Sequence, residues 1–324
     1  MLKEALKGML RRAPTRMSQV TTENAEVGAL KNYMRWEDIG RCSEAWLVAG
    51  GAQGSPYDEF RGAWLPLPKW WNPGLDPWSN EYVTQMDRLW RDMVGVAEDY
   101  DPMIHEVTGD AHVDPIVRPG LYNDVAEQAG NHLIAMGHIV KFSEVRPGSR
   151  VIEYGAGFGQ NSVTFARMGC EVHTVDIDAT FCTAVTAQAN FLGLNLTAHR
   201  EEFGYNPGGQ FDLILFYECF HHSRSWQTLI SQMREMLVPG GKIILAGEPI
   251  FRSDFHEPFR DALPYPWGLR LEAETAAITR IRKWYELGFW EDFIVEAFAR
   301  GGFQHRFRPG IISAYAEIHE FTLA

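Results

Sequence analysis

The 324-residue chain sets 30 Lys and Arg against 42 Asp and Glu, a formal charge of −12, and its 45% hydrophobic and 22% charged content is that of a folded globular protein. The acidic balance argues against a nucleic-acid partner, which needs a basic footprint to displace counterions. No run approaches the roughly 18 apolar residues of a membrane span, and Cys42, Cys170, Cys182 and Cys219 form no CxxC pair, which predicts a cytoplasmic protein without a transmembrane segment.

The chain is long for one domain and short for two, so a core with an added lobe is expected. The opening MLKEALKGMLRR reads as a short tail or terminal helix over 1–20; an anionic membrane surface could also hold it. Residues 21–124 lack a strand–helix rhythm but hold Trp36, Trp46, Trp64, Trp70, Trp71, Trp78 and Trp90. Pro and Gly interrupt them in LPLPKWWNPGLDPW, which predicts an irregular cap lobe. The tryptophans either pack that lobe or offer a stacking platform to a flat acceptor or sugar ring.

From 125 onward the pattern changes to that of a nucleotide-binding domain, 125–324. A helix over 125–142 leads to Val151–Gly159, VIEYGAGFG, which predicts a strand and a glycine turn. Gly155, Gly157 and Gly159 allow a sharp turn and a close ligand approach. A helix over 161–168 ends at Gly169, and a second strand, VHTVDID, carries Asp176, placed to accept both ribose hydroxyls. Counting from Gly155, the sixth position is Gln160, so the GxGxxG dinucleotide fingerprint fails.

A helix over 179–192 and a strand over 196–199 follow, then FDLILF at 211–216, a buried strand ending in Tyr217, Glu218, Cys219, Phe220, His221 and His222. The stripe Trp226, Leu229, Ile230, Met233 and Leu237 predicts a core-facing helix, and PGG at 239–241 a turn into a fifth strand ending at Glu248. Residues 250–300 are longer than a crossover needs and suggest a lid near the substrate mouth, with a basic helix through Arg280, Arg282 and Lys283 and an apolar one through Phe293 and Phe298. A hairpin of 305–308 and 314–321 closes the chain.

The E-x-G-x-G-x-G turn, the acid at 176, the FDLILFYE strand and LVPGG together resemble the class I S-adenosylmethionine (SAM) dependent methyltransferases. That resemblance implies a Rossmann-like α/β fold: a seven-stranded, mostly parallel sheet with a C-terminal antiparallel hairpin, here with the Trp-rich lobe and lid added. It implies SAM as cofactor and S-adenosylhomocysteine as product. The cofactor residues it implies are Glu153, Gly155, Gly157, Gly159, Asp176 and Tyr217, with Glu202 and Phe203 at the adenine and Glu201 as rival to Glu202.

Methyl transfer to a hydroxyl needs a base, and histidine titrates near neutrality. His221 and His222, with Glu218, are therefore the catalytic candidates, although either histidine could instead pack or cap. The spacing Glu218-x-x-His221-His222 also resembles the ExxEH segment of ubiquinone-type O-methyltransferases, so Glu218, His221 and His222 form an alternative metal set. A divalent metal is not expected, since His221 replaces the second acid and magnesium prefers oxygen. Arg118, Tyr122, His132, Glu248 and His256 are candidate substrate contacts, with Asn131 beside His132.

The segments RPGLY, GNHLIAMGHIVKF, YECFHHS, PYPWGLRLE and ELGFWEDF resemble bacterial sugar and glycan methyltransferases, which implies a saccharide hydroxyl as acceptor. A small-molecule natural product methylated on O or N is the alternative, and an inactive methyltransferase-like scaffold a third reading. Nothing in the sequence decides between a monomer and a homo-oligomer.

Overall fold

A computed structural model describes residues 32–49, 53–107, 126–252, 262–310 and 312–324. The chain forms two compact units, Met1–Tyr100 with Ser253–Gly288, and Asp101–Arg252 with Phe289–Ala324. The N-terminal basic stretch, Arg118, Tyr122 and His256 lie outside the described residues.

In the larger unit, helix α1 (Ala126–Ser143) precedes β1 (Arg150–Tyr154), α2 (Gln160–Arg167), β2 (Glu171–Asp176), α3 (Ala179–Leu192), β3 (Leu196–Arg200), β4 (Phe211–Tyr217), α4 (Trp226–Met236) and β5 (Leu237–Ala246). Helix α5 (Glu291–Arg300), β6 (Phe303–Arg308) and β7 (Ile318–Leu323) follow. The seven strands lie in the order β3-β2-β1-β4-β5-β7-β6. β1 to β5 run parallel, and β7 is antiparallel to both neighbours. This is the Rossmann-like α/β architecture expected from the motifs.

The centre of the sheet is buried because β1, β4 and β5 carry largely apolar runs, as parallel strands covered on both faces require. Val151, Leu213, Leu215 and Ile244 join Phe165, Val185 and Ile139 in one core. Local signals set the helix ends. Asp178 accepts the amide of Thr180 at 2.8 Å to cap α3, and Gly193 ends that helix in the left-handed region at φ 62°. The strand order reverses between β1 and β4, so the loops leaving those two strands flank the crevice where ligands bind in open α/β sheets.

Three details differ from the sequence expectation. The PGG at 239–241 lies inside β5, which starts at Leu237 and shifts register against β4 between Phe211 and Leu213. In the hairpin, Ala314–Ala316 is a short 3-10 turn capped by Ser313, and pairing begins only at Ile318. The apolar helix expected within the lid is α5, which belongs to the sheet-containing unit. Its Phe298 stacks on Phe321 at 3.7 Å between ring centroids. Short strands Ile250–Phe251 and Leu287–Trp290, paired in parallel through Ile250 and Phe289, were not foreseen.

In the smaller unit, helices Ile39–Ala49, Asn80–Val94 and Ala273–Arg282 hold an aromatic core. Trp71 meets Tyr82 and Tyr265 at 5.9 and 5.1 Å, and Tyr82 meets Trp267 at 5.2 Å. The polar tips are satisfied locally. Tyr82 donates to the Trp267 carbonyl, Trp267 to that of Pro77 and Trp90 to that of Lys283. Trp46, Trp71 and Trp90 are buried and pack the lobe. Among the described residues, no helix is long and apolar enough to cross a membrane.

Candidate active site

The turn after β1 has all three glycines at positive φ: Gly155 at 59°, Gly157 at 52° and Gly159 at 73°. Their surroundings separate their roles. A Cβ on Gly155 would stand 2.6 Å from the Cβ of Cys219, and one on Gly159 would stand 2.8 Å from Cγ2 of Val185. Both are excluded by packing within the protein. A Cβ on Gly157 meets nothing within 4 Å, so the space beside its Cα is open. Packing within the protein thus accounts by itself for glycine at 155 and 159, whereas open space remains beside Gly157.

Asp176 closes the other side of this turn. Its carboxylate accepts the Gly157 amide at 3.0 Å and the Asp178 amide at 2.9 Å. Burial pushes its pKa up to about 6, the amides only partly offsetting that effect. Glu153 lies beneath the turn, 3% exposed, and accepts from Asn161 at 3.1 Å and from the Ser162 hydroxyl. Burial raises it to about 7. Glu153 thus braces the start of α2. Asn161 keeps its Oδ1 buried with no hydrogen-bond partner in the described structure, an acceptor beside the turn.

Phe203 packs edge-on against Tyr154 and Phe216 and comes within 3.6 Å of the Gly155 position, so it walls the turn. Glu202 is exposed, as is Glu201. Tyr217 points to α1, where its hydroxyl lies 2.6 Å from Nδ1 of His132. Glu218 holds the unusual left-handed φ of 53° and stands 3.5 Å from the same imidazole nitrogen. Tyr315 covers the His132 ring at 5.0 Å. Burial, followed by the nearby charge of Glu248, raises Glu218 to about 8. Burial also lowers His132, keeping it neutral, and pushes Tyr217 well above the normal phenol range.

The loop after β4 is tied to β5 by a single carboxylate. Glu248 accepts the amides of Cys219 and Phe220 at 2.8 Å each, that of His221 at 3.1 Å, and Nδ1 of His221 at 2.7 Å. Burial opposes its ionisation, yet His221 and the amides outweigh burial and hold the pKa below the usual range. A carboxylate is only an acceptor, so Nδ1 of His221 carries the proton and Nε2 is the basic atom. The ring of His222 lies 4.2 Å from that of His221, and its Nδ1 is 3.2 Å from the carboxylate of Glu106. Cys219 donates its thiol to the Tyr154 carbonyl at 3.0 Å, which joins this loop to the glycine turn.

The structure thus gathers Gly157, Asp176 and Phe203 at one edge of β1, and Glu218, His221, His222, Glu248, His132 and Tyr217 at the end of β4. Glu248, read from sequence as a substrate contact, is spent on organising the loop. Glu106 was not anticipated, since a lone acid before a Pro-rich stretch carries no signal of its partner. Among the described residues, Glu218 shares no ligand cluster with His221 and His222, so the alternative metal trio does not assemble.

Residues 152–243 match a family described as "Methyltransferase domain". The chain is 24% identical over 204 residues to the reducing polyketide synthase grgA of a Penicillium species, covering 58% of this chain and 8% of that protein. It is 26% identical over 145 residues to protein-L-isoaspartate O-methyltransferase of Methylorubrum extorquens, covering 44% of this chain and 59% of that one. It therefore spans under a tenth of the first relative and just over half of the second. Magnesium protoporphyrin IX methyltransferase of Synechocystis, solved with SAM bound, superposes with a TM-score of 0.50 at 16% identity, over 71% of this chain and all of that one, and shares the fold.

Proposed function

We propose that the chain, whose residues 152–243 match a methyltransferase domain family, is a class I, SAM-dependent methyltransferase that transfers a methyl group to a hydroxyl of a small molecule, with His221 as base and Glu248 as the residue that positions it. The buried His221–Glu248 pair, 2.7 Å apart at the carboxyl end of β4, carries this reading. SAM, when bound, supplies a methyl group already activated on a sulfonium. Asp176 receives the ribose hydroxyls, Gly157 lets that ligand approach the backbone, and Asn161 Oδ1 offers an acceptor to an ammonium. Nε2 of His221 would take the proton that the acceptor hydroxyl gives up. Glu248 stabilises the imidazolium so formed.

The acceptor follows from weaker signals. The sequence segments resembling glycan enzymes support a saccharide hydroxyl. The polyketide synthase similarity supports a second reading, a natural-product acceptor.

Three measurements test the proposal. Saturating S-adenosylhomocysteine should raise the melting temperature, and no shift would remove the cofactor assignment. A mass-spectrometric screen for a 14-Da gain, an increment of about one CH2, should then be run on nucleotide sugars, oligosaccharides and polyketide-like acyl substrates. His221→Ala should bind S-adenosylhomocysteine normally but turn over about 10²–10⁴-fold more slowly. Unchanged turnover would overturn the role of His221.

A further inference from the structure

A second group of chemistry-bearing side chains lies outside that site, where α5 begins beside the terminal hairpin. His305 of β6 and His319 of β7 share one face of the sheet, because His305 pairs with Phe321 and His319 with Phe307. Their rings lie nearly parallel, 16° apart, with Nε2 of His305 at 3.1 Å from Nδ1 of His319. Glu291, the first residue of α5, brings its carboxylate to 3.9 Å from the same His319 nitrogen. The three ligand atoms all fall within 4.8 Å of one another.

We propose that Glu291, His305 and His319 form a binding site for a divalent transition ion of the zinc class. Two imidazole nitrogens and one carboxylate oxygen are the donor set such ions prefer, with water completing a tetrahedron. The spacing suits it. Two nitrogens bound tetrahedrally at about 2.0–2.1 Å stand about 3.3 Å apart, close to the 3.1 Å between His305 and His319. Without an ion, the facing nitrogens can share one bridging proton; the ion takes that place, and Glu291 supplies negative charge.

His319 is 3% exposed and is flanked by Phe307 at 5.1 Å, while Phe321 lies 5.0 Å from His305, so the site is rigid and shielded on its sheet side. One group opposes the ion. The Arg252 guanidinium lies over the Phe307 ring at 4.7 Å and 4.0 Å from Glu291, so an incoming cation competes with it for the carboxylate.

The test uses untagged, chelator-stripped full chain titrated with Co(II) and then Zn(II). Wild type should develop the intense visible bands of tetrahedral cobalt, displaced by zinc at one equivalent. His305→Ala should abolish the bands, Glu291→Gln should weaken binding at least tenfold, and Arg252→Gln should tighten it several-fold. His221→Ala should leave the bands intact. Without any variant, zinc should protect the partly exposed His305 from diethyl pyrocarbonate, as read by peptide mapping. Absence of bands in wild type, bands persisting in His305→Ala with no zinc protection, or bands lost in His221→Ala would each overturn the proposal.

Discussion

Nδ1 of His221 donates to Oε2 of Glu248 across 2.7 Å, and the same carboxylate gathers the amides of residues 219, 220 and 221. One buried side chain therefore fixes both the shape of the loop after β4 and the tautomer of its histidine. Glu248→Gln retains an acceptor oxygen but removes the charge. Turnover should fall about 10²–10⁴-fold, while the dissociation constant of S-adenosylhomocysteine changes less than threefold, an increment of under about 0.7 kcal/mol by RT ln K. Steady-state kinetics beside calorimetry separate the two, and equal losses in both would refute a positioning role.

Glu218 and Glu248 give opposite pH signatures. Glu218 is raised from 4.5 to about 8, so the native state holds a proton that the unfolded chain releases, and stability falls as pH rises between those values. Glu248 is depressed, so its contribution is present above the unfolded carboxylate pKa and is lost as pH falls through its lower native value. Melting curves of Glu218→Gln should match wild type near pH 4.5 and exceed it progressively toward pH 8. Parallel curves for the two proteins would remove this account.

Cofactor affinity should itself depend on pH. Ribose hydroxyls favour the ionised form of Asp176, which is raised to about 6 in the free protein. Binding of S-adenosylhomocysteine should weaken as pH drops below about 6, approaching tenfold per unit, an increment of about 1.4 kcal/mol. Asp176→Asn should bind weakly at every pH and lose the slope. A pH-independent wild-type affinity would show that Asp176 does not meet the ligand.

Alanine at the three turn glycines should give three different results. Gly157→Ala incurs only the left-handed backbone cost, about 1–2 kcal/mol, together with impaired cofactor binding. Gly155→Ala and Gly159→Ala add steric conflict with Cys219 and Val185, and both should lower denaturant midpoints further. The conflict at Gly159 involves one methyl, so Val185→Ala should restore part of its loss. Equal destabilisation by all three, without rescue, would contradict this division.

Much of the larger unit was legible because its signals are local. Largely apolar runs marked β1, β4 and β5, and Gly169, at φ 88°, marked where α2 stops. What escaped depends on distant partners. Glu248 stands 27 positions from His221, and neither residue type announces the other. The hydroxyl of Tyr217, a residue expected at the cofactor, lies 2.6 Å from His132, on a helix 85 positions earlier. Strands Ile250–Phe251 and Leu287–Trp290 are too short for alternation to show. The apolar character of Ala314–Ala316 resembled a strand, but the Ser313 cap winds it into a turn. The three glycines were found correctly, while the reason for two of them lies in side chains that only the fold brings near.

The contact between Cys219 and Gly155 bears on engineering. A library aimed at new acceptors can vary His222 and Glu106, whose side chains meet at 3.2 Å, while Glu248 holds the amides of residues 219 to 221. Position 219 offers no such latitude. Its thiol is bonded to Tyr154 and its Cβ is seated against Gly155, so a bulkier residue there would reshape the cofactor turn along with the acceptor loop. Selection for a new substrate at that residue would be selection against the methyl donor.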